Sequence, residues 1–521
     1  MLLSAPRHQE PDEWDRSFFE ALVPPDHYLR QVLRVIRFER CRELMASAYS
    51  QNLGRPAIEP VLMLKLEFLA FHYGLSDREV IKTAQVNMAF RYFLHLSRRS
   101  PLPHHTVLTY FRNRLGPELH QRIFNEIVAQ ARQHGLVKDR LRLKDATHII
   151  ANIAVPSTIR LVAQTRDQLL AAVTPFAAER AAEEEAHAER IHLCSQDASD
   201  KERLLQRVSH LQAVVAWVDA LFAELPVDTE RNWQRLQQAL QLAHKVLADR
   251  HDETQPQLKD KKKDRVVSVH DPDARSGWHH GYYYGFFLDV SMDADSDIIT
   301  AVNVLPANAD EAADTTTLIR HEEETHGNDV EGLSIDSIGF RGSLLREWTD
   351  PQGLNLDVTV PPTPEPETTV FAPEAFTLDE QGETLTCPAG QTTTKRCRKH
   401  ATSWQFRFPQ KTCAGCLLQP QCMRQPSKQN GRTVVKNDYE AEYRRARAKA
   451  QTAEYQQVRR QHPAIERKLS DAVRHQRGRR ARYRGGGRAL IHGLLTGVVV
   501  NVKRIVRLLA PTVRAEGVAT G

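Results

Sequence analysis

The sequence lacks several features that would place it at once. Charge of one sign is nearly absent as an excess: 71 Lys+Arg against 65 Asp+Glu leave a formal +6 over 521 residues, so where the charges fall matters more than their sum. No secretory leader is read at the start, because "MLLSAPRHQEPDEW" turns polar within a few residues. Long apolar runs are wanting too. The longest late one, "LLTGVVVNV", is interrupted by Asn501, Lys503, Arg504 and Arg507, too short and too charged for a bilayer span. These absences predict a cytoplasmic chain, nucleoid-associated if it binds DNA, with no membrane partner. Cysteine is scarce, at seven, yet five fall between Cys387 and Cys422. Such clustering without an export signal points to metal rather than disulfides. The rest is ordinary globular composition, 41% hydrophobic and 26% charged, which excludes a disordered tail protein. At roughly 150 residues per domain the length suggests about three or four domains.

Hydrophobic period divides the chain. In residues 1–135, "HYLRQVLRVI", "AIEPVLMLKLEFLAFHYG" and "SDREVIKTAQVNMAFRYFLHL" carry apolar residues at helical spacing. Ser76 with Glu79 forms a capping-box pattern, and "TVLTYFRNRLG" reads as a short helix ending at Gly116. Short helices with basic residues on the last ones suit either a DNA-binding domain or a plain bundle. From about 139, "LRLKDATHIIANIAV" alternates and is β-branched, a strand. Helix formers return over 158–255 as amphipathic helices with charged faces, followed by a basic loop, "KDKKKDR" (259–265). Strands are predicted at "DRVVSVHDP", "GYYYGFFLDVSM" and "DIITAVNVLPA". The last two are joined by a turn whose Asp293, Asp295 and Asp297 lack the glycine and glutamate of a calcium loop. A helix over "ADEAADTTTLIRHEEETHG" and a strand "VEGLSID" complete an α/β layer fold with a helical insert. "PPTPEPETT" (361–369) is a stiff linker, a Cys-rich module spans about 380–430, and from about 437 the chain is helical and basic.

Three acids draw attention. Asp145 sits mid-strand among apolar positions, and Asp336 closes another strand just before "SIGF". Burying a carboxylate is costly unless it is paired, so each is a candidate metal ligand facing a cleft; the plainer reading is a turn cap. Glu466, in "HPAIERKLSDAVRH", falls in the first turns of a helix begun by Pro463. Amid Arg467, Lys468, Arg474 and His475 it is either a surface ion-pair partner or a carboxylate reaching a metal while its neighbours hold DNA phosphates.

Four ordered stretches then carry a family resemblance: "LSDREVIKTAQVNMAFRYFLHL…HHTVLTYFRNRL", "LKDATHIIAN", "DPDARSG…GYYYGFFLDV…IITAVNVLPANADEAAD…LSIDSIGF" and "HPAIERKLSDAVRHQRGRRARYRGGGRALIHGLLTGVVVNVKRI". Together they cover most of the chain. The sequence resembles an insertion-sequence DDE transposase with a ribonuclease-H-like catalytic core. The resemblance implies an α/β fold: a mixed sheet built from 136–160 and 262–360, interrupted by a helical insertion over 161–261. An all-α DNA-binding domain (1–135) would precede it. A Pro-rich linker with a Cys-rich, zinc-ribbon-like module (361–436) would be inserted before the C-terminal helices and basic tail (437–521). It implies Asp145, Asp336 and Glu466 as the catalytic triad, holding Mg²⁺ (or Mn²⁺) for cleavage and strand transfer at terminal inverted repeats. Double-stranded DNA, both element ends and target, would be the partner of a homodimer on paired ends. Phosphodiester transfer suits such acids, because Mg²⁺ prefers hard oxygen ligands and offsets the mutual repulsion of clustered carboxylates.

The chain departs from the family in places. Many relatives carry Asp-x-Gly-Tyr at the second acid; here Asp336-Ser337-Ile338-Gly339-Phe340 is one residue longer. The Tyr, Arg and Lys found around the Glu are replaced by Arg459, His462 and Val473, with Arg474 adjacent as the stand-in for the lysine. Two other readings stay open: a non-catalytic DNA-binding protein derived from a transposase, and a stand-alone metal-dependent nuclease.

Cys387, Cys413, Cys416 and Cys422 can supply four tetrahedral ligands to a structural Zn²⁺. Cys397 and His400 compete for that role, an iron–sulfur cluster is the alternative metal, and free thiols in a loop are the plain reading. Cys41 and Cys194 read as buried bystanders. In the tail, Arg474, Arg479, Arg480, Arg482 and Arg484 join Arg459 and His462 as expected DNA contacts, with Tyr483 packing on a sugar or base. The alternative is a charged helix surface followed by a loop. "LLTGVVVNVKRIVRLL" reads as a core helix.

Overall fold

The computed structural model describes residues 11–518 except 51–53, 227–229, 251–263, 280, 365–368, 380 and 425–430. Most of the basic loop 259–265 and the middle of the Pro-rich segment 361–369 therefore lie outside the described residues. Seven helices come first: α1 (Glu13–Leu22), α2 (Tyr28–Val35), α3 (Cys41–Ala46), α4 (Pro60–His72), α5 (Asp77–Val86), α6 (Met88–Phe93) and α7 (Thr106–Gln133). Ser76 caps α5: its hydroxyl accepts from the Glu79 N–H at 3.2 Å, and the Glu79 carboxylate accepts from the Ser76 N–H at 2.7 Å. Two otherwise orphaned donors are thereby satisfied. In α7 the backbone breaks at Gly116, where φ is +63°, but helix resumes through Pro117 to Gln133 rather than ending. Proline is tolerated there because it opens a new helical run, whose first N–H has no partner anyway.

After β1 (Arg142–Ile150) come α8 (Thr158–Val173), α9 (Ala178–Cys194), α10 (Asp200–Glu224) and α11 (Arg231–Asp249). These four helices build an apolar core of their own, joined by Val266 and Val269. That packing explains a correction: "DRVVSVHDP" forms no strand, because Val266 and Val269 are taken up by the helical insertion while Val267 packs on the sheet core. Cys194, expected to be buried, is exposed at the end of α9, whereas Cys41 is buried.

The central sheet contains β2 (Arg275–Trp278), β3 (Tyr282–Asp293), β4 (Ile299–Pro306), β5 (Gly332–Ser334) and β6 (Asp357–Thr359) together with β1. β3 runs antiparallel to β1 with Asp145 opposite Val290, and pairs antiparallel with both β2 and β4. β5 joins β1 in parallel and β6 joins β5 in parallel. The order is thus β4–β3–β1–β5–β6, three antiparallel strands followed by two parallel ones. Gly285 permits the close approach of β3 to β1, since a Cβ there would lie 2.0 Å from the Ile149 carbonyl oxygen.

Beyond β4 lie α12 (Thr315–His326) and α13 (Gly342–Trp348). The small β module holds β7 (Thr377–Leu378), β8 (Leu385–Thr386), β9 (Thr392–Thr393), β10 (Arg396–His400), β11 (Ser403–Arg407) and β12 (Thr433–Asn437), with α14 (Gln410–Ala414) and α15 (Gln419–Cys422). The chain closes with α16 (Glu440–Lys449), α17 (Ala453–Gln461), α18 (Pro463–His475) and α19 (Gly486–Val518).

Two cores flank the sheet. Leu333 and Val358 pack with Ile319 of α12, Trp348 of α13 and Tyr443 of α16. On the other face Leu143, Val290 and Val302 pack with Ile465 and Leu469 of α18, Val498 of α19 and Phe124 of α7. Helices α2 to α6 share this second core, so the N-terminal helices are continuous with the sheet. The Gly486–Leu509 stretch of α19 is long and apolar enough to cross a membrane, contrary to the expectation from its charges. In that stretch 83% of the apolar window is buried, and α19 packs against α7 and β4, as a core helix does.

Candidate active site

Strand pleating sends successive side chains of β1 to opposite faces. Arg142 and Lys144 point toward α12, and both meet matched charge. Arg142 is fully buried and reaches Glu322 at 2.6 Å, Asp139 at 2.8 Å and Asp293 at 3.1 Å. Lys144 lies 2.9 Å from Asp289 and donates to the Glu311 carbonyl oxygen at 2.7 Å. The acids of the β3–β4 turn are spoken for as well, Asp295 by Arg140 at 2.7 Å and Asp297 by Arg504 at 3.1 Å.

Asp145 faces the other way and meets charge of its own sign. It is half-buried and accepts from the Ala146 N–H at 2.8 Å. Burial, together with the charges of Asp336 and Glu311, pushes its carboxyl up to about 7 despite Lys144 nearby. Asp336 is delivered by register. Leu143 of β1 stands beside Ser334 of β5; two residues further along β1 comes Asp145, and two residues past the end of β5 comes Asp336. Asp336 is exposed and accepts from the Ile338 N–H at 3.2 Å, capping a short 3-10 turn. Among the described residues, no arginine or lysine closes an ion pair with Asp145, Asp336 or Glu466.

Glu466 is exposed on α18, the helix that packs Ile465 and Leu469 over this same face. One turn before it, His462 Nδ1 is 3.1 Å from Ser334 Oγ. Just past the helix, Arg479 Nη1 donates to Thr147 Oγ1 at 3.2 Å and to the His148 carbonyl at 2.7 Å, and the Ile150 N–H donates to the Arg479 carbonyl at 2.8 Å. The helix bearing Glu466 is therefore fixed at one end to β5 and at the other to β1. Of the three sequence-predicted acids, Asp145 feels the charge of Asp336, while Glu466 is exposed on the helix that packs on this face.

The expected DNA-contacting side chains divide. Arg474, Arg480 and Arg484 are exposed, the last donating to the Asn152 carbonyl at 3.0 Å. Arg459 donates to the Ile335 carbonyl at 3.1 Å, beside Asp336. His462 and Arg482 are instead occupied with the protein. His462 is buried, and burial with the Arg459 charge pushes it down to about 4. Arg482 donates to the Leu75 and Ala70 carbonyls at 2.8 and 3.2 Å and lies 4.2 Å over Phe71. Tyr483 is stacked beneath Arg112 at 4.7 Å, away from any nucleotide role. One acid was missed: Glu311, held above its usual range by burial and by the charges of Asp336 and Asp310. Its only signal in the sequence is the acidic segment between β4 and α12.

Two family models match the chain, a transposase domain (DUF772) over residues 17–114 and a transposase DDE domain over 386–506. The two matches support an insertion-sequence DDE transposase. No curated protein and no solved structure matches it. The first match takes in α1 to α6 and the opening of α7; the second runs from the Cys-rich module through Glu466 into α19, and neither reaches Asp145 or Asp336. Transposase domains bring DNA binding, and DDE transposases work with a divalent ion such as Mg²⁺.

In the Cys-rich module the four thiols of Cys387, Cys413, Cys416 and Cys422 line one small pocket walled by Phe371, Phe376 and Phe408. Burial raises the Cys422 thiol, and the other three sulfurs of the pocket push it the same way. Cys397 and His400 lie exposed on β10, outside that pocket.

Proposed function

We propose that this transposase cuts DNA at terminal inverted repeats and joins the freed ends to target DNA, with Asp145, Asp336 and Glu466 as its acidic triad on a ribonuclease-H-like sheet. One observation carries the reading. Asp145 on β1 is raised by the charge of Asp336, which lies two residues past the end of the parallel neighbour β5, with only partial relief from Lys144, and the helix packed on the same face bears Glu466. The strand order, three antiparallel and two parallel with helices on both faces, supports the ribonuclease-H-like assignment.

The donor set fits a hard divalent ion: carboxylate oxygens only, with like-charge repulsion raising Asp145. Mg²⁺ held there would offset charge at the attacking and leaving oxygens of an in-line displacement. The chain's own residues do the positioning. Asp145 is set by the rigid centre of the sheet and Asp336 by the end of β5. Glu466 is set by a helix fastened at His462 and Arg479. Arg474, Arg480 and Arg484 hold backbone phosphates and fix register without reading sequence. Water attacks the phosphorus at the element end and the 3′ oxygen leaves; the freed 3′-OH then attacks target DNA, so each bond broken is matched by one formed. A homodimer on paired ends and a DNA-binding role for α1 to α7 belong to the same proposal. The pocket of four thiols is assigned to a structural Zn²⁺ that closes the small β module.

The test is a cleavage and strand-transfer assay with terminal-repeat DNA, intact and precut, in Mg²⁺. Wild-type protein should cut intact ends and join precut ends, and Asp336→Asn protein should do neither. Cutting without joining would make the chain a nuclease. Salt-sensitive binding without either reaction would make it a DNA-binding derivative. Metal analysis of purified protein checks the thiol pocket, where absence of zinc and iron would dismiss the assignment.

A further inference from the structure

A second set of ligand-type side chains converges far from the acids, in the helical insertion. We propose that Glu184 and His187 of α9 and His210 of α10 form a site for one first-row transition ion of the zinc class, distinct from both the carboxylate site and the thiol pocket. Glu184 and His187 are three residues apart, so one helix face presents both. One candidate ligand atom from each of the three lies within 4.8 Å of the other two. Glu184 Oε2 is 2.9 Å from His210 Nε2 and 3.5 Å from His187 Nδ1. Donors each about 2.1 Å from a shared ion stand roughly 3.0–3.5 Å apart in a tetrahedral or octahedral shell. Both carboxylate–imidazole separations are therefore at or close to the spacing an ion requires, and the third lies within 4.8 Å.

The surroundings favour coordination. Glu184 Oε1 is engaged by Arg180 Nη2 at 2.7 Å, which orients the carboxylate and leaves Oε2 turned to both imidazoles. Against its burial, the His210 hydrogen bond and the Arg180 charge keep Glu184 ionised. Burial keeps His210 neutral against the pull of Glu184, with Arg166 and His187 acting in the same direction as burial. A neutral imidazole is the form that ligates. His210 is 1% exposed, Glu184 11% and His187 49%. Two ligands are seated in the helix interface and the third opens to solvent, where water completes the shell. The Nδ1 of His210 is buried without a hydrogen-bond partner, so among the described residues Glu184 is what holds the ring in the ion-free protein. Coordination at Nε2 sends the proton shared with Glu184 to solvent. Two imidazoles and one carboxylate select zinc, nickel or cobalt over Mg²⁺, so an ion here would tie α9 to α10 without competing for the acids.

The experiment is zinc titration of the full-length, chelator-stripped protein against a competing metal indicator at pH 7.5, with Mg²⁺ in every arm. His187→Ala and Glu184→Gln should each bind one zinc fewer than wild type, while Cys413→Ser retains that zinc. His187 is half exposed and Glu184→Gln preserves volume, so circular dichroism should match wild type. Equal zinc stoichiometry in wild type, His187→Ala and Glu184→Gln would overturn the site, as would loss of every bound zinc in Cys413→Ser protein. A Co²⁺-loaded Cys413→Ser chain with no absorption sensitive to His187→Ala would overturn it independently.

Discussion

The two faces of β1 treat charge in opposite ways. Toward α12, Arg142 and Lys144 are completely covered, and every charge is met by one of opposite sign within about 3 Å. Toward α18, one residue along, Asp145 meets only more acid, from Asp336 and Glu311, apart from the partial relief of Lys144 across the strand. Buried charge that has been neutralised holds a fold together, whereas carboxylates left without a counter-charge hold a deficit that an incoming cation can fill. The same nine-residue strand supplies both, separated only by the parity of its side chains.

Breaking the acidic face should have the largest effect. Asp145→Asn or Asp336→Asn should lower Mg²⁺-dependent cleavage by about three orders of magnitude, corresponding to roughly 4 kcal/mol of lost transition-state stabilisation, with circular dichroism unchanged; cleavage kinetics measure it. Breaking the neutralised face should spare chemistry and cost structure. Glu322→Gln leaves Arg142 buried and under-compensated, and should lose about 3–5 kcal/mol of stability, read as a lower urea midpoint.

Acidity sharpens the contrast, because Asp145 and Glu322 respond with opposite sign. The Asp145 carboxyl sits near 7, above the 3.8 of an unfolded aspartate. The native chain therefore binds the extra proton between those values, and the stability this group contributes is full in acid and lost as pH rises through 7. Glu322, despite burial, is held low by Arg142 and Arg132, so its contribution is present above 4.5 and lost as pH falls. In Mg²⁺-free buffer Asp145→Asn should stabilise the protein more at pH 8 than at pH 5, by at most about 1.4 kcal/mol per pH unit crossed. Added Mg²⁺ should erase that gain. Urea midpoints at the two pH values, with and without Mg²⁺, give the answer, and a Mg²⁺-insensitive gain would contradict the cation-binding reading of this face. The smallest effect belongs to the exposed arginines. Arg474→Ala or Arg480→Ala should weaken DNA binding evenly across sequences and reduce the salt slope by about one each, measured by fluorescence anisotropy.

Legibility followed the length of each pattern. β1 was readable because a nine-residue segment carrying the β-branched Thr147, Ile149 and Ile150 reads as a strand, and Asp145 stood out against it. The capping box at Ser76 and the helix opened by Pro463 were equally plain. β6 and β7 to β9 are two or three residues long, too short to express any period. "DRVVSVHDP" has a strand's composition but gives Val266 and Val269 to the helical insertion, a tertiary choice that composition does not encode. In the basic tail, Arg480 and Arg482 look alike in sequence, yet one is exposed and the other caps carbonyls beneath Phe71. Glu311 was hidden among Asp310 and Asp314, where an acidic run normally signals solvent; the approach of Asp336 past the end of β5 adds a like charge that the run does not announce.

The fastening of α18 has a consequence for how this architecture changes over time. Its two anchor points, Ser334 and the end of β1, both belong to the sheet, and neither belongs to the small β module that precedes it in the chain. A change of length in that module, between β6 and α16, is therefore expected to leave both fastenings of the helix in place.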